Sequence, residues 1–318
     1  MGTPEFAVPA LRILAGSGEV DLRLVVTQPD RPAGRGRALM PPAVKVAAQE
    51  LGIPVVQAAT LRDEDVRSRI RETEPALVVV ASFGMILGKW MLDLPTHGCV
   101  NLHASILPAY RGANPISTAI LQGDEETGVT LMQMDRGLDT GAMLAVARTP
   151  ILPDDTTDVL TARLADLAAG LLQERLDGLL AGSLAAIPQP DGATLTRQLV
   201  KADGWIDWSR PAIELERQVR AMWPWPRTWT TLAEGTLMQV HAATPGDPHS
   251  GGVPGTVLDG ASVICGGGST LRLQRIQLAG GKPVEGTAIA NMERLRGSIR
   301  LGETGEPDPV PPLVLPAP

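Results

Sequence analysis

The chain of 318 residues is poor in side chains that bind metals or form disulfides, with two cysteines and four histidines. Two cysteines cannot form the disulfide framework of a small secreted domain. Because no cluster of spaced ligands is present, we expect no metal site. The sequence also lacks an apolar run of about 20 residues and a charged-then-apolar leader, so we expect neither a membrane span nor secretion. These absences together predict a cytoplasmic protein.

The chain also has no overall excess of positive charge. Its formal net charge of −7 gives little support for a nucleic-acid partner, since such domains usually carry a basic surface. The basic residues are unevenly placed, however. The segment between residues 28 and 45 contains one acidic residue, Asp30, and four basic residues, Arg31, Arg35, Arg37 and Lys45. The composition therefore permits RNA binding without predicting it.

Hydrophobic patterning predicts an α/β first half. Residues 76–82 are continuously apolar and mostly β-branched or small, which is typical of a parallel strand covered on both faces. Residues 157–180 carry leucines at helical spacing, which indicates core packing. Further strands are predicted at 21–27, 99–102, 129–134 and 143–151, and further helices at 42–51 and 114–122. The alternation predicts a layered α/β domain over residues 1–182.

After residue 182 the pattern changes. A segment rich in Gly, Ala, Ser and Pro predicts a linker at 183–202. A helix at 211–222 precedes short strand-like runs separated by Gly and Pro, and such runs indicate a small barrel at 203–302. The predicted strands are 237–242, 255–258, 262–265 and 270–278. The tail at 303–318 is rich in Pro and Glu, and we expect it to be disordered.

Three polar residues form the candidate catalytic set. Asn101 and His103 lie at the end of the predicted strand 99–102, where residues two apart share one face, and Asp139 follows in the stretch 137–141. With no Ser or Cys nucleophile beside them, an amide, an imidazole and a carboxylate suit one-step acyl transfer to an amine. Such a reaction needs hydrogen-bond donors for an oxyanion and a base for the amine proton. The alternative is that Asn101 caps a turn and His103 bonds to the backbone.

The flanking residues favour catalysis. Residues 98–113 and 128–141 closely resemble the signature of formyltransferases that use 10-formyltetrahydrofolate. Residues 27–37, 206–208 and 223–226 resemble the branch of that family that acts on methionyl-tRNA. The similarity runs from Gly2 to about Gly302, and its motifs are long, so chance similarity is implausible.

This resemblance implies a fold and a reaction. The fold is a Rossmann-like, doubly wound, mostly parallel sheet followed by a small OB-like β-barrel. The α-amine of methionine on initiator tRNA would attack the formyl carbon of 10-formyltetrahydrofolate, the co-substrate. Asn101 and protonated His103 would stabilise the oxyanion, and Asp139 would keep His103 charged and relay protons. We expect no metal and a monomeric enzyme.

The resemblance also implies two sets of binding residues. The pterin site would be lined by Ser105, Ile106, Leu107 and Pro108, with Phe83 and Gly84 beside them; a plain tight turn at Pro108 is the alternative. The tRNA would contact an exposed loop through Arg31, Arg35 and Arg37, and Lys201 at the linker exit. A solvated loop and a solvated lysine are the alternatives. Five of the six tryptophans lie between residues 205 and 229, where packing is favoured over stacking on bases.

The chain departs from the family pattern at several positions. Phe83 replaces the usual tyrosine and Ala142 an acid, while Ala104 and Ile106 replace the commoner Gly and Leu; these changes put affinity in doubt rather than activity. The family also has an apolar strand immediately before the Gly2-Thr3-Pro4 turn. We therefore expect a start several residues upstream, and either a gap at the sheet centre or weak order around residues 2–6.

Two rival functions are compatible with parts of this sequence. Formyltransferases acting on amino-sugar nucleotides or glycinamide ribonucleotide, and hydrolases of the same folate, share the first domain. The arginine-rich loop and residues 206–208 argue against them. A catalytically inactive RNA-binding module on the same scaffold is the rival from another class, and the intact Asn101, His103 and Asp139 argue against it.

Overall fold

The computed structural model describes residues 1–33, 38–258, 261–292, 295 and 299–317. Its α-helices are α1 (Val8–Gly16), α2 (Ala43–Glu50), α3 (Glu64–Arg71), α4 (Lys89–Leu92), α5 (Pro115–Gln122), α6 (Thr157–Leu180), α7 (Ala212–Ala221) and α8 (Thr287–Ala290). Short 3-10 helices span Glu5–Ala7 and Lys201–Gly204. The strands of the first half are β1 (Val25–Thr27), β2 (Arg31–Ala33), β3 (Ala38–Met40), β4 (Val55–Gln57), β5 (Val78–Val80), β6 (Cys99–His103), β7 (Arg111–Gly112), β8 (Glu126–Gln133) and β9 (Met143–Pro150). The later strands are β10 (Thr194–Thr196), β11 (Thr228–Thr231), β12 (Leu237–Pro245), β13 (Ser262–Ile264), β14 (Thr270–Leu278), β15 (Val284–Glu285) and β16 (Val314–Pro316).

The first half is a layered α/β structure, as the sequence predicts. β5 pairs with β6 in parallel, β8 pairs antiparallel with β6, and β9 pairs antiparallel with β8. Each of the five residues of β6 is buried, because helices and neighbouring strands cover both of its faces. The leucine stripe of α6 closes one face: Leu160 and Leu164 are fully buried there. The predicted strand 99–102 is therefore a central strand of the sheet.

The sheet is interrupted where the sequence led us to expect a gap. β1 pairs in parallel with β4 but not with β5, and a cavity of about 430 Å³ lies between β1 and β5. Gly2 N–H donates to the Val26 carbonyl at 3.1 Å, and the Met1 ammonium donates to the Val79 carbonyl at 2.6 Å. Burial lowers the pKa of that ammonium to about 6. The interruption lies on the side of β5 away from β6, so it leaves the pairing of β6 with β5 and β8 intact.

The second half contains a curled antiparallel half-barrel, with the strand order β11–β12–β14–β13 and β15 beside β14. Helix α7 packs against this sheet, and Ile206, Trp208 and Leu215 belong to its core. The expectation that tryptophans mainly pack holds for Trp208, which is 5% exposed, but not for Trp225, which is 57% exposed. The expected α/β fold followed by a small barrel-like domain is confirmed.

The expectation of a disordered tail is wrong for residues 303–317. β16 pairs antiparallel with β10, and β10 pairs in parallel with β7, so the tail, the linker and the first domain share one three-stranded sheet. Leu313 packs against the first core, and the Arg197 guanidinium donates to the Pro311 carbonyl at 2.7 and 3.0 Å. The composition of the tail gives no sign of this order, because the residues that pair with the tail are distant in the sequence.

Several other elements differ from the expectations. Within the arginine-rich segment, β2 and β3 pair antiparallel as a β2–β3 hairpin, and residues 34–37 lie outside the described residues. Within the predicted strand 255–258, Thr256 and Val257 form isolated bridges, and no longer strand is present. Met222, at the end of α7, is buried in the core of the first half. The boundaries 1–182, 183–202 and 203–302 therefore remain our proposal. Among the described helices, none is long and apolar enough to cross a membrane.

Candidate active site

Asn101 and His103 occupy the carboxyl end of β6 and share one face of it. Asn101 is paired in register with Val80 of β5 and Met132 of β8, so strands on both sides fix its position. The two residues are 9% and 6% exposed, respectively. Burial in a paired central strand gives both side chains a rigid support, which suits groups that must be aimed at a reacting centre.

Asp139 reaches the same point from the turn that follows β8. Its carboxylate accepts the Gly112 N–H at 2.9 Å, and the Asn101 side-chain amide donates to it at 3.5 Å. The carboxylate also lies 3.6 Å from Nδ1 of His103. The structure therefore brings Asn101 and His103 to the same carboxylate, that of Asp139.

The orientation of the His103 ring is set by Tyr110. His103 Nε2 lies 2.9 Å from the Tyr110 carbonyl oxygen, and a carbonyl can only accept, so Nε2 carries a proton. Nδ1 then faces the carboxylate of Asp139. Because Nε2 is engaged and 3.6 Å is long for a hydrogen bond, Nδ1 is the ring atom that remains for a substrate.

Tyr110 is itself held in an uncommon backbone conformation, with φ at 59°. Its hydroxyl donates to Asp124 at 2.7 Å, and its N–H donates to the Thr194 hydroxyl at 2.8 Å. Burial, followed by the neighbouring Asp124, raises the pKa of the Tyr110 phenol, and burial likewise raises the pKa of Asp124. These bonds on both sides of the residue keep its carbonyl aimed at His103.

Some of the residues expected to bind folate are buried, and others are accessible to a ligand. The Thr130 hydroxyl donates to the Ser105 carbonyl at 2.7 Å and accepts the Leu107 N–H at 3.1 Å. Ser105 and Leu107 are 0% and 3% exposed, so both side chains lie inside the protein, and the contact of Leu107 with a pterin ring stays a prediction. Ile106 and Pro108 are half-buried and remain candidates.

The second part of the expected folate site shows the same division. Phe83 is 2% exposed, and its carbonyl accepts the Gln28 side-chain amide at 2.8 Å. Gly84 is exposed and has φ at 75°, a conformation that favours glycine. Gly84 therefore remains a candidate contact through its backbone, whereas Phe83 supports it from within.

The residues expected to bind tRNA lie on separate elements. Arg31 is exposed at the start of the β2–β3 hairpin, while Arg35 and Arg37 lie outside the described residues. The hairpin is anchored by Asp30, which accepts the Lys45 ammonium at 2.8 Å and the Gln57 amide at 2.7 Å. These two hydrogen bonds, that of Lys45 foremost, lower the pKa of Asp30. Lys201 is exposed, with its ammonium 5.6 Å from the ring centre of Trp229.

Two cavities of the structure have linings that do not include Asn101, His103 or Asp139. One cavity lies in the interrupted sheet, and another, of about 540 Å³, is bordered by His97 and Gly182. In the part of the chain that the structure describes, no three His, Cys, Asp or Glu side chains are grouped to hold a metal ion. The expected absence of a metal stays a prediction.

Sequence reasoning missed the supporting residues of the site. Tyr110 and Gly112 lie inside the recognised motif, which was a usable signal, but their backbone contacts to His103 and Asp139 depend on the loop conformation. Thr130 and Gln189 carry no local signal, because each acts on a segment far away in the sequence.

Comparison with known proteins gives two family matches. Residues 2–176 match the family described as formyl transferase, and residues 198–294 match the family described as formyl transferase, C-terminal domain. Together they span both halves of the fold.

Individual relatives agree. The methionyl-tRNA formyltransferase of Geobacter sulfurreducens is 46% identical over 310 residues, which cover 96% of each chain. That of Pseudomonas paraeruginosa is 48% identical over 298 residues, covering 92% of this chain and 94% of the relative. The crystal structure of an N-formyltransferase from Helicobacter canadensis, in complex with folinic acid and dTDP-3-aminofucose, has a TM-score of 0.63 at 20% identity; it covers 86% of this chain and 97% of its own. The last likeness supports the fold alone.

Proposed function

This chain belongs to the methionyl-tRNA formyltransferase family, and we propose that its active site is formed by Asn101, His103 and Asp139 at the end of β6. The enzyme is a one-carbon transferase: it transfers the formyl group of a folate to the α-amine of methionine on initiator tRNA. The observation that carries the assignment of the site is that the Asp139 carboxylate lies 3.5 Å from the Asn101 amide nitrogen and 3.6 Å from Nδ1 of His103.

Asn101 and His103 supply the donors for the oxyanion. One N–H of the Asn101 amide is directed to Asp139, which leaves its second N–H for the substrate. His103 donates through Nδ1, since Nε2 is engaged by the Tyr110 carbonyl. Donors held on a buried strand need no rearrangement when negative charge develops on the formyl oxygen, and this lowers the barrier.

Asp139 handles the proton of the attacking amine. As the amine nitrogen bonds to the formyl carbon, it becomes positively charged and must lose a proton; the Asp139 carboxylate accepts it directly or through water. The bond between the formyl carbon and the folate nitrogen then breaks, and that nitrogen takes up the proton held by Asp139 as it leaves. The products are formylmethionyl-tRNA and tetrahydrofolate, so no external reductant or oxidant is required.

The folate contacts follow from the accessible residues of the expected set. Ile106 and Pro108 present half-buried surface, and Gly84 presents exposed backbone close to the catalytic strand. Ser105, Leu107 and Phe83 are buried and shape the loops behind them. We assign 10-formyltetrahydrofolate as the folate form, because the reaction needs a formyl group on a nitrogen that can leave.

The tRNA contacts are assigned to the hairpin and to Lys201. Arg31 is exposed on β2, and the Asp30–Lys45 ion pair fixes the base of the hairpin against α2. Arginine side chains can form paired hydrogen bonds with phosphate, which suits Arg31, Arg35 and Arg37 to this role. A monomer in the cytoplasm remains our expectation from the sequence.

One assay separates this function from its rivals. Purified protein is given folate with a labelled formyl group, together with charged initiator tRNA, free methionine, an amino-sugar nucleotide, or water alone. We expect label on the charged tRNA and at most trace label elsewhere. Transfer to the amino sugar or rapid release as formate would replace this function with that of a rival enzyme. Tight tRNA binding without transfer would indicate an inactive RNA-binding module.

A further inference from the structure

One side chain of the linker is tied to the turn that carries Asp139. Nε2 of Gln189 donates to the carbonyl oxygens of Asp139 at 2.7 Å and Gly141 at 2.8 Å. Its Oε1 accepts Nε and Nη2 of Arg111 at 3.0 and 2.8 Å. Both donors and both acceptor positions of the amide are therefore used. The orientation of the amide is fixed, since a flipped amide would aim its oxygen at two carbonyls.

The turn that Gln189 contacts needs external support. Asp139 has φ at 53°, in the left-handed region, and such conformations persist when surrounding contacts impose them. Leu138, just before it, is 53% exposed, so packing contributes little here. The carboxylate has one short contact, with the Gly112 N–H at 2.9 Å, and its contacts with Asn101 and His103 are near 3.5 Å. A small rotation of the turn would separate it from both partners.

Gln189 is itself held in place by the linker. Ile187 and Met143 exchange two backbone hydrogen bonds, each of 2.8 Å, which tie the linker to the start of β9. Pro188 and Pro190 flank Gln189, and proline restricts the backbone on either side. The side chain therefore extends from a fixed backbone and can hold the Asp139 and Gly141 carbonyls in place.

We propose that Gln189 is a positioning residue that holds the turn at Asp139–Gly141, so that the carboxylate faces His103 and Asn101. This role rests on the proposed function and adds to the active site a residue from outside the first domain. The linker is then part of the catalytic apparatus rather than a tether between two domains.

The decisive variant is Gln189→Glu. It keeps the size of the side chain and its pairing with Arg111, but it replaces the donated N–H groups with an oxygen that faces two carbonyls. We expect kcat to fall by about 10- to 100-fold, the size of effect that a small misplacement of a reacting group produces. KM for folate and for charged tRNA should stay within about twofold, because binding surfaces are unchanged. Gln189→Met, which removes the donors without adding repulsion, should show a smaller fall of the same kind.

The matched control is Gln198→Glu. Gln198 lies in the same linker and is exposed, so the same chemical change is made without contact to the turn. This variant should keep the wild-type kcat. An equal fall in both variants would attribute the effect to charge in the linker and overturn the proposal.

A double variant distinguishes positioning from a general structural role. If Gln189 acts through Asp139, then adding Gln189→Glu to Asp139→Asn should lower the single-turnover rate by less than about twofold, since the two effects are not additive. A full multiplicative loss, or a wild-type kcat in Gln189→Glu alone, would overturn the proposal. A wild-type chain that formylates no charged tRNA would overturn the proposed function itself.

Discussion

His103 and Asp139 act mainly when charge develops, which predicts how their loss divides between kcat and KM. His103→Ala and Asp139→Asn should lower kcat far more than they raise KM for folate. Asn101→Ala should raise the barrier by about 2.7–4 kcal/mol, as for other donors to an oxyanion. Steady-state kinetics with charged initiator tRNA measure these effects, with His249→Ala in the second half as the control. Near-normal turnover in His103→Ala would remove the assignment.

Tyr110 offers a pH-dependent test, because it is the single tyrosine of the chain. Its pKa is raised above the ordinary value of 10.0 by burial and by Asp124. A raised folded pKa stabilises the fold fully below the unfolded value, and this contribution is lost as pH rises through the folded value. We expect tyrosinate absorbance to appear at higher pH in the native protein than in denaturant. Ionisation of the native phenol at the unfolded value would contradict the Tyr110–Asp124 contact; Tyr110→Phe gives the baseline.

The proposed catalytic residues could be named from the sequence, but the residues that support them could not. Asn101 and His103 are two apart on a strand, so a local rule places them on one face. The approach of Asp139 depends on the left-handed turn, on Gly112 and on Gln189, which are distant contacts that no local pattern encodes. Leu107 was named from similarity of sequence alone; it is 3% exposed, its N–H donates to Thr130, and its contact with folate stays a prediction.

The β2–β3 hairpin should determine the salt dependence of tRNA binding. Each phosphate contact releases counterions, so alanine at Arg31, Arg35 and Arg37 together should lower the salt slope by about three units while folate binding stays unchanged. The matched control replaces Arg12, Arg62 and Arg69, three exposed arginines on or beside α1 and α3. Titration of tRNA binding at a series of salt concentrations measures the slope. Equal slopes in the two triple variants would show that net charge, not the hairpin, accounts for binding.

Elements were predictable where their own residues determine them. α6 was expected at residues 157–180 and spans Thr157–Leu180, because its leucines repeat at helical spacing along its length. β14 was likewise expected with its observed bounds. β7, β10 and β16 were missed, since strands of two or three residues exist only through partners far away in the chain. The same cause explains why the tail was expected to be disordered.

The two halves should unfold together, because α7 contributes to both cores. Met222 at its end is 1% exposed within the core of the first half, although most of α7 packs on the half-barrel. We expect one calorimetric transition in the wild type. Met222→Ala should lower the free energy of unfolding by about 2–5 kcal/mol, while Met40→Ala, at a position 55% exposed, should change it by at most about 0.5 kcal/mol. Two well-separated transitions in the wild type would contradict this coupling.

The sheet formed by β7, β10 and β16 also decides where this chain could be recombined with a relative. A chimera with a single junction near residues 177–197, between the two family matches, would take β7 from one parent and β10 and β16 from the other. Strands from different parents would then have to pair in this sheet. An exchange with two junctions, one after Asp203 and one before Pro311, would transfer the half-barrel while each strand of the small sheet kept its native neighbour. A graft of the half-barrel must therefore respect both of its ends.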